Sequence, residues 1–329
     1  MSTPKTFILQ STEGLRIAVT NAGAAWTSCL VPVNNEPREV LLGYETPADY
    51  LTHPGYLGAI VGRYANRIAT ASFDLDDQTH HLVPNEGNNQ LHGGPGGFHR
   101  HLWNVAEHTA DTLTLTLTSP AGDQGFPGEL SVRATYRVQP ELTVRLTLEA
   151  TTTAPTLCNL SSHAYFNLDG GGTITAHRLQ IPAERYLPVR PDLIPTGEQA
   201  DVAGTPFDFR APRRISDALQ ALAATDATPR CHDHCWLAGS ATLWSGDGAL
   251  ALELRSAQPG LQFYAGEFLP LTPDRRNQPY AQHAGLALEP QALPDSPHHP
   301  EWPQKNAVLR PGETYRHDVT YRFIPLTAP

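Results

Sequence analysis

The stretch Thr112-Leu-Thr-Leu-Thr-Leu-Thr decides the fold class, because apolar and polar residues alternate through it with a period of two. Successive side chains of a β-strand point to opposite faces of the sheet, so Leu113, Leu115 and Leu117 share one face and the threonines share the other. One apolar and one polar face are typical of an antiparallel sheet that covers a core on one side. The stretch predicts such a one-sided strand.

The same alternation recurs along the chain. It is found in Leu142-Thr-Val-Arg-Leu-Thr-Leu, in Ala249-Leu-Ala-Leu-Glu-Leu and, less regularly, in His317-Asp-Val-Thr-Tyr-Arg-Phe. Turn residues separate these stretches, as in Asp123-Gln-Gly-Phe-Pro-Gly and Asp169-Gly-Gly-Gly. The chain contains 26 glycines and 30 prolines, enough for the turns that many short strands require.

Helical periodicity is confined to one short stretch, Ile215-Ser-Asp-Ala-Leu-Gln-Ala-Leu-Ala-Ala, where Ser216 or Asp217 is the expected cap. No Ser/Gly linker, charge run or internal repeat divides the sequence. We therefore predict an all-β fold with few short helices, a large antiparallel β-sandwich of two sheets packed face to face. We expect residues 1–329 to form a single domain.

Composition narrows the class of partner. The hydrophobic fraction of 40% fits a globular protein with a sizeable core, and the formal net charge of −10 disfavours nucleic acid and anionic membrane as partners. The N-terminal residues lack the apolar segment of a signal peptide, and no apolar run is long enough to span a membrane. Four scattered cysteines fit a reduced compartment better than a disulfide scaffold. These features predict a cytoplasmic protein.

One carboxylate stands out in an apolar stretch. Glu289 lies in Gly285-Leu-Ala-Leu-Glu-Pro, directly before a loop rich in proline and histidine. We expect it where a strand ends, held by the rigid sheet and shielded from water by its neighbours. Desolvation raises the pKa of a carboxyl group, so Glu289 is a candidate for proton transfer near neutral pH.

Two further phrases carry polar groups among glycines and small residues. Val61-Gly-Arg-Tyr-Ala-Asn-Arg-Ile-Ala offers two arginines and Asn66 as a fork for hydroxyl or carboxylate oxygens. Leu91-His-Gly-Gly-Pro-Gly-Gly-Phe-His offers His92 and His99 on a loop whose glycines allow close backbone approach. Taken alone, the first phrase more often describes solvated arginines at a strand edge, and the second equally describes a flexible turn.

A third phrase, Asn159-Leu-Ser-Ser-His-Ala-Tyr-Phe-Asn-Leu, places His163 among aromatic and small residues, where it is either a proton donor or acceptor or a core histidine. Cys231-His-Asp-His-Cys looks like a zinc motif. In an extended segment, however, the cysteines and Asp233 face one side and the histidines the other, so the five cannot converge on one ion. We reject zinc and keep Asp233 as a hydrogen-bond acceptor.

Aromatic residues near these phrases suit the stacking of sugar rings, whose apolar C–H faces pack on aromatic rings, although core packing explains them equally well. They are Tyr165, Trp236, Phe263, Tyr264 and Trp302. The sequence contains no nucleophilic serine motif and no dinucleotide fingerprint.

Together these phrases resemble the aldose 1-epimerases, also called galactose mutarotases. The matching phrases run in family order from near the N-terminus to near the C-terminus. They are Gly62-Arg-Tyr-Ala-Asn-Arg-Ile, Leu91-His-Gly-Gly, Asn159-Leu-Ser-Ser-His-Ala-Tyr-Phe-Asn-Leu, Asp233-His, Leu261-Gln-Phe-Tyr-Ala-Gly-Glu-Phe-Leu, Leu288-Glu-Pro-Gln-Ala-Leu-Pro-Asp-Ser-Pro and Leu309-Arg-Pro-Gly-Glu-Thr-Tyr. Two small departures are Ser162 before His163 and Cys235 after Asp233-His, and neither removes a catalytic group.

The resemblance implies a β-sandwich of the galactose mutarotase type that acts on free aldohexoses such as galactose and glucose, without a metal or organic cofactor. It implies that Glu289 is the general base and His163 the general acid. It further implies that sugar hydroxyls are held by five other residues. These are Asn66, Arg67, His92, Asp233 and Gln262.

Mutarotation requires a proton to leave the C1 hydroxyl and another to reach the ring oxygen, which a carboxylate and an imidazolium can do. Three alternatives remain. A hexose-6-phosphate 1-epimerase would need additional cations for the phosphate, a non-catalytic sugar-binding module would not need both Glu289 and His163, and a glycoside hydrolase would need two carboxylates. The preferred hexose is left open, and the oligomeric state is expected to be monomer or homodimer.

Overall fold

The computed structural model describes residues 3–226, 229–304 and 306–326, and two large sheets dominate them. In the nine-stranded sheet the spatial order is β10-β11-β12-β13-β27-β23-β22-β17-β20. Its strands are β10 (Asn104–His108), β11 (Thr112–Ser119), β12 (Leu130–Gln139), β13 (Thr143–Thr152), β27 (Tyr315–Pro325), β23 (Leu250–Ser256), β22 (Ser240–Trp244), β17 (Arg178–Gln180) and β20 (Arg213–Arg214).

The six-stranded sheet has the order β16-β25-β24-β21-β18-β19. Its strands are β16 (Tyr165–Phe166), β25 (Leu286–Gln291), β24 (Gly260–Tyr264), β21 (Asp233–Trp236), β18 (Arg185–Leu187) and β19 (Ala200–Asp201). Within both sheets every pairing among the described residues is antiparallel.

Smaller sheets flank these two. A four-stranded sheet contains β1 (Thr6–Gln10), β2 (Arg16–Thr20), β3 (Trp26–Val33) and β4 (Glu36–Glu39). Four two-stranded pairs follow: β5 (Ile60–Val61) with β15 (Ser161–Ser162), β6 (Arg67–Ile68) with β9 (Gln90–Leu91), β7 (Ser72–Leu75) with β8 (Gln78–His81), and β14 (Thr156–Leu157) with β26 (Val308–Leu309).

Helices are few and short in the described residues. The α-helices are α1 (Asp49–Thr52) and α2 (Ile215–Ala223), and the 3₁₀ turns are Ala69–Ala71, Phe98–Arg100, Asp123–Gly125, Ile174–Ala176, Leu269–Leu271 and Ser296–His298. None of the helices in this part of the chain is long and apolar enough to cross a membrane. The predicted all-β fold is confirmed.

The core lies between the two large sheets. The apolar faces of β11, β13 and β27 belong to the same buried cluster as the apolar face of β24 and β25. Trp26, from the four-stranded sheet, packs edge-on against Phe166 and Tyr321, with ring centroids 6.0 and 5.2 Å away. These three side chains therefore join both large sheets to the four-stranded one.

The strand that includes residues 112–118 is present, but its polar face is less open than expected. Leu113, Leu115 and Leu117 are buried, and so are Thr112 and Thr114. The hydroxyl of Thr114 lies 3.2 Å from that of Thr135 on the neighbouring strand, so the threonines are covered by their own sheet neighbours.

The predicted helix is present as α2, but neither expected cap is used. The N-cap is Arg214, which makes no side-chain cap hydrogen bond, and Ser216 and Asp217 lie in the first turn. The helix starts directly after the extended β20, and the first free N–H, that of Ile215, donates to the carbonyl of His177. A neighbouring loop thus replaces the side-chain cap. The carboxylate of Asp217, in the first turn, interacts favourably with the positive end of the helix dipole.

Candidate active site

The site is built on one face of the six-stranded sheet. On β25, Glu289 is the fourth of six buried residues, so the expectation that it stands at the end of a strand is wrong. Its partner in the register on β24 is Gln262. Asp233 opens the next strand, β21, and lies on the same face, where the Gln262 amide donates to its Oδ1 at 2.6 Å.

The opposite face of this sheet belongs to the core. His232 and His234 lie there among aromatic rings, with the His234 ring centroid 4.5 Å from that of Phe207 and the His232 ring stacked on Phe263 at 5.7 Å. The two histidines therefore point away from Asp233, as the alternation through residues 231–235 predicts. Burial lowers the pKa of both imidazoles to about 3, so both are neutral.

His163 faces Glu289 from the turn between β15 and β16. Its Nε2 lies 3.5 Å from Oε1 of Glu289, and both side chains are almost fully buried. The backbone of His163 is held on both sides, because its N–H donates to Ala59 and its carbonyl accepts from Gly58. The ring stacks on Tyr56 and packs against Tyr165, with centroids 5.5 and 4.9 Å away.

Burial works against the charged form of both groups. It raises the pKa of Glu289 well above its usual range, and the nearby charge of Asp233 raises it further, while Arg67 opposes the shift. Burial lowers the pKa of His163 to about 4. Burial therefore disfavours the carboxylate–imidazolium pair that the resemblance implies.

His92 lies beside this pair, with its ring centroid 5.1 Å from that of His163. Its Nδ1 accepts the backbone N–H of Asn66 at 3.1 Å, so the neutral ring carries its proton on Nε2. Burial, with His163 and Arg67 nearby, keeps its pKa well below the usual range. Nitrogen and oxygen ligand atoms of His92, His163 and Glu289 lie within 4.8 Å of one another, a spacing that also suits a small cation.

The two arginines of the 61–69 phrase have different surroundings. Arg67 makes two hydrogen bonds to Glu86, at 2.6 and 2.9 Å, and its Nη1 lies 3.5 Å from Oδ2 of Asp233. Burial opposes the charge, but Asp233 and Glu86 hold the pKa above its usual value. Arg63 points away from the site and donates to backbone carbonyls and hydroxyls, such as those of Ser119.

Asn66 links these parts through its backbone and side chain. Its carbonyl accepts the N–H of His92 at 3.0 Å and its Oδ1 accepts the N–H of Arg67 at 2.9 Å. The structure thus brings all seven predicted site residues into one connected set. The sequence reasoning missed Glu86 and Tyr56, whose contacts join segments that lie 19 or more residues apart and follow no local pattern.

The glycine-rich loop after β9 serves packing. Gly93 has φ +81°, and a Cβ atom there would lie 1.9 Å from the carbonyl oxygen of Gly62. Glycine therefore allows the loop to pack directly on the backbone of residues 62–63. This close packing places His92 in the site. His99, the second histidine of the loop, contacts Tyr56 with ring centroids 4.7 Å apart and is neutral because burial lowers its pKa to about 3.

The family model described as aldose 1-epimerase matches residues 5–322. The chain belongs to the aldose 1-epimerase family. Among its relatives, the aldose 1-epimerase of Escherichia coli is 41% identical over 327 residues, covering 96% of this chain and 94% of the relative. The human galactose mutarotase is 37% identical over 332 residues, covering 98% and 94%. The predicted family and the predicted class of enzyme, an aldose 1-epimerase, are confirmed.

Solved structures of aldose 1-epimerase relatives share the architecture. A GalM/aldose epimerase homologue from C. elegans superimposes with a TM-score of 0.92 at 26% identity, covering 99% of this chain and 100% of that one. A galactose 1-epimerase from Lactobacillus acidophilus gives a TM-score of 0.85 at 27% identity, with the same coverage. The galactose mutarotase type of sandwich expected from the resemblance is confirmed.

Proposed function

We propose that this aldose 1-epimerase interconverts the α and β anomers of free aldohexoses, with Glu289 and His163 as its acid–base pair. The observation that carries the proposal is the 3.5 Å separation of His163 Nε2 and Glu289 Oε1 in a buried site. The two oxygens that must lose and gain a proton are both attached to C1. Groups that serve them must therefore be close neighbours, as these two are.

In the proposed mechanism the pair holds one proton in total, as ring opening requires. Hydroxyl groups of a bound sugar donate hydrogen bonds to Glu289, which favours the carboxylate and shifts the shared proton towards His163. Glu289 then takes the proton of the C1 hydroxyl while His163 gives one to the ring oxygen, and the C1–O5 bond breaks. After rotation about C1–C2, the reverse transfers close the ring on the other face of the aldehyde.

Binding groups for the remaining hydroxyls surround the pair. Within the described residues Nε2–H of His92 has no hydrogen-bond partner, so it can donate to a hydroxyl oxygen, and Asp233 and Arg67 offer acceptor and donor atoms. The guanidinium of Arg67 is already paired with Glu86 and Asp233. Its charge is thus compensated, which supports a free sugar over a sugar phosphate.

Polarimetry tests the proposal. Freshly dissolved α-D-galactose and α-D-glucose relax slowly to their anomeric equilibrium in water, and we expect the protein to accelerate both. Relaxation of both sugars at the uncatalysed rate would contradict the proposal. Acceleration restricted to the 6-phosphates would move the function to a hexose-6-phosphate 1-epimerase.

We also propose a cytoplasmic location. All four cysteines are free and buried, and burial raises the thiol pKa of Cys158 and Cys235 above the usual value. Thiols that remain unpaired in the fold suit a reducing compartment. Fractionation of the producing cells, with the activity followed by polarimetry, would check this location.

A further inference from the structure

The loop that follows β25 returns across the strand that carries Arg67. Asp295 lies in this loop, four residues after the strand ends at Gln291, and only 2% of its surface is exposed. Its backbone has φ +57°, a left-handed conformation that aspartate adopts more readily than most residues. Neither the acid–base chemistry nor sugar binding, as proposed above, uses Asp295.

Asp295 holds the backbone at Arg67 and just after it. Its N–H donates to the carbonyl of Arg67 at 2.9 Å, and its Oδ1 accepts the N–H of Ala69 at 2.9 Å. A second contact runs parallel to these, because the hydroxyl of Tyr64 donates to the carbonyl of Leu293 at 2.9 Å and accepts the N–H of Ser296. The loop and the 64–69 segment are thereby fastened together.

A histidine compensates the charge of the buried carboxylate. Nδ1 of His298 lies 2.6 Å from Oδ1 of Asp295, and the N–H of His298 donates to the Asp295 carbonyl at 3.0 Å. His299 Nε2 lies 3.8 Å from the other oxygen, Oδ2. A buried carboxylate requires such partners, because an unpaired charge inside a protein is costly.

We infer that Asp295 is a positioning residue for sugar binding, which sets the place of Arg67 relative to the strand that carries Glu289. The two ends of the site are supported separately. Glu289 is fixed by its register with Gln262, and His163 by its backbone bonds to residues 58 and 59. The Arg67 guanidinium is held by Glu86, whereas the backbone from Arg67 to Ala69 is held by its bonds to Asp295. Loss of the Asp295 side chain therefore weakens the binding of the sugar while the proton transfers continue.

This inference rests on the proposed function, and Asp295→Gly tests it. Glycine keeps the left-handed backbone without strain and removes the carboxylate. We expect KM for galactose to rise about tenfold, the effect of about 1.4 kcal/mol of lost binding, with kcat per folded molecule within about twofold. Asp76→Gly is the matched control: Asp76 also has positive φ and is paired, with Arg310, but on the surface. It should leave both constants unchanged.

A second variant keeps the experiment decisive if Asp295→Gly does not fold. His298→Leu leaves Asp295 in place but removes its charged partner, and we expect KM to rise about threefold with kcat unchanged. In either variant an unchanged KM, or a fall in kcat alone, would overturn the inference. Wild-type protein that fails to accelerate mutarotation would instead contradict the proposed function, so the two failures are distinguishable.

Discussion

The outer face of the nine-stranded sheet and the site face of the six-stranded sheet are both rich in polar side chains. The two faces differ in whether these side chains find hydrogen-bond partners within the protein. On the outer face, Asp318 accepts from Arg145, Arg316 and Thr147, and Arg316 also pairs with Glu149. These groups are partly exposed and satisfy one another.

On the site face, polar atoms are buried without partners in the protein. Oε2 of Glu289, Oε1 of Gln262 and both amide atoms of Gln291 make no hydrogen bond within the described residues. A buried unpaired polar group costs about 1–3 kcal/mol, so a fold keeps several together only where something else supplies the bonds. A hydroxyl-rich ligand on the site face, as proposed, would complete the bonds that the protein leaves open.

Glu289→Gln should give the largest effect. The substitution keeps the shape but removes the base, and we expect kcat to fall by about 10²–10⁴-fold, the usual contribution of a general base. Polarimetry on galactose measures it. Glu149→Gln on the outer face is the matched control and should leave kcat unchanged. A Glu289→Gln variant as active as wild type would remove the base assignment.

His163→Asn should follow, with a loss of about 10²-fold or more in kcat, because the amide cannot deliver a proton to the ring oxygen. Its Tyr56 and Tyr165 contacts are also lost, so the melting temperature is measured alongside to correct for misfolded protein. If only KM changes, His163 has a binding role and the acid must be sought elsewhere.

The pH dependence of kcat/KM tests the site face alone, because the proposed proton transfers take place there. Activity requires that the Glu289–His163 pair hold a single proton. We expect kcat/KM to fall at low pH, because the pair gains a second proton when His163, whose pKa is lowered to about 4, is protonated. We expect kcat/KM to fall at high pH as well, because the pair then loses the proton shared with Glu289. A profile without the acidic limb would contradict the shared proton.

The sequence predicts the elements better than their assembly. Period-two alternation locates the strands that contain residues 113–117 and 317–323, because half-burial leaves a local pattern. The pattern does not indicate that β27 lies between β13 and β23, since sheet order depends on pairings between distant residues.

The same limit applies to the site. Local phrases indicate six of its seven residues as candidates, while Gln262 and the individual roles come from the resemblance. Local sequence alone could not distinguish Arg63, which binds backbone carbonyls, from Arg67, which faces Asp233. Local sequence patterns do not indicate Glu86 and Asp295, because Arg67 and Ala69, to which they bond, are distant in the chain. Burial of Glu289 inside β25, rather than at its end, depends on the sheet neighbours on both sides.

The smallest expected effect separates the two regions through stability. Beside the site, Glu267 accepts the N–H of His232 with one oxygen, while the other is buried and unpaired, and burial raises its pKa to about 8. On the outer face, burial acts in the same direction on Asp318, but Arg316, Thr147 and Arg145 outweigh it and lower the pKa to about 2.

The two carboxyl groups should therefore give opposite slopes. Between the ordinary pKa near 4.5 and about 8, unfolded chains ionise Glu267 while the folded protein keeps it protonated, so stability falls as pH rises. Asp318 stabilises the fold above its ordinary pKa of 3.8, and this contribution is lost as pH falls towards about 2.

Glu267→Gln should thus stabilise the protein by about 1–2 kcal/mol at pH 8 and hardly at pH 4, as measured by urea unfolding. Asp318→Asn should destabilise it at pH 8 but not near pH 2. If either variant changed the free energy of unfolding equally at both of its pH values, lost contacts rather than ionisation would explain the difference between the two faces.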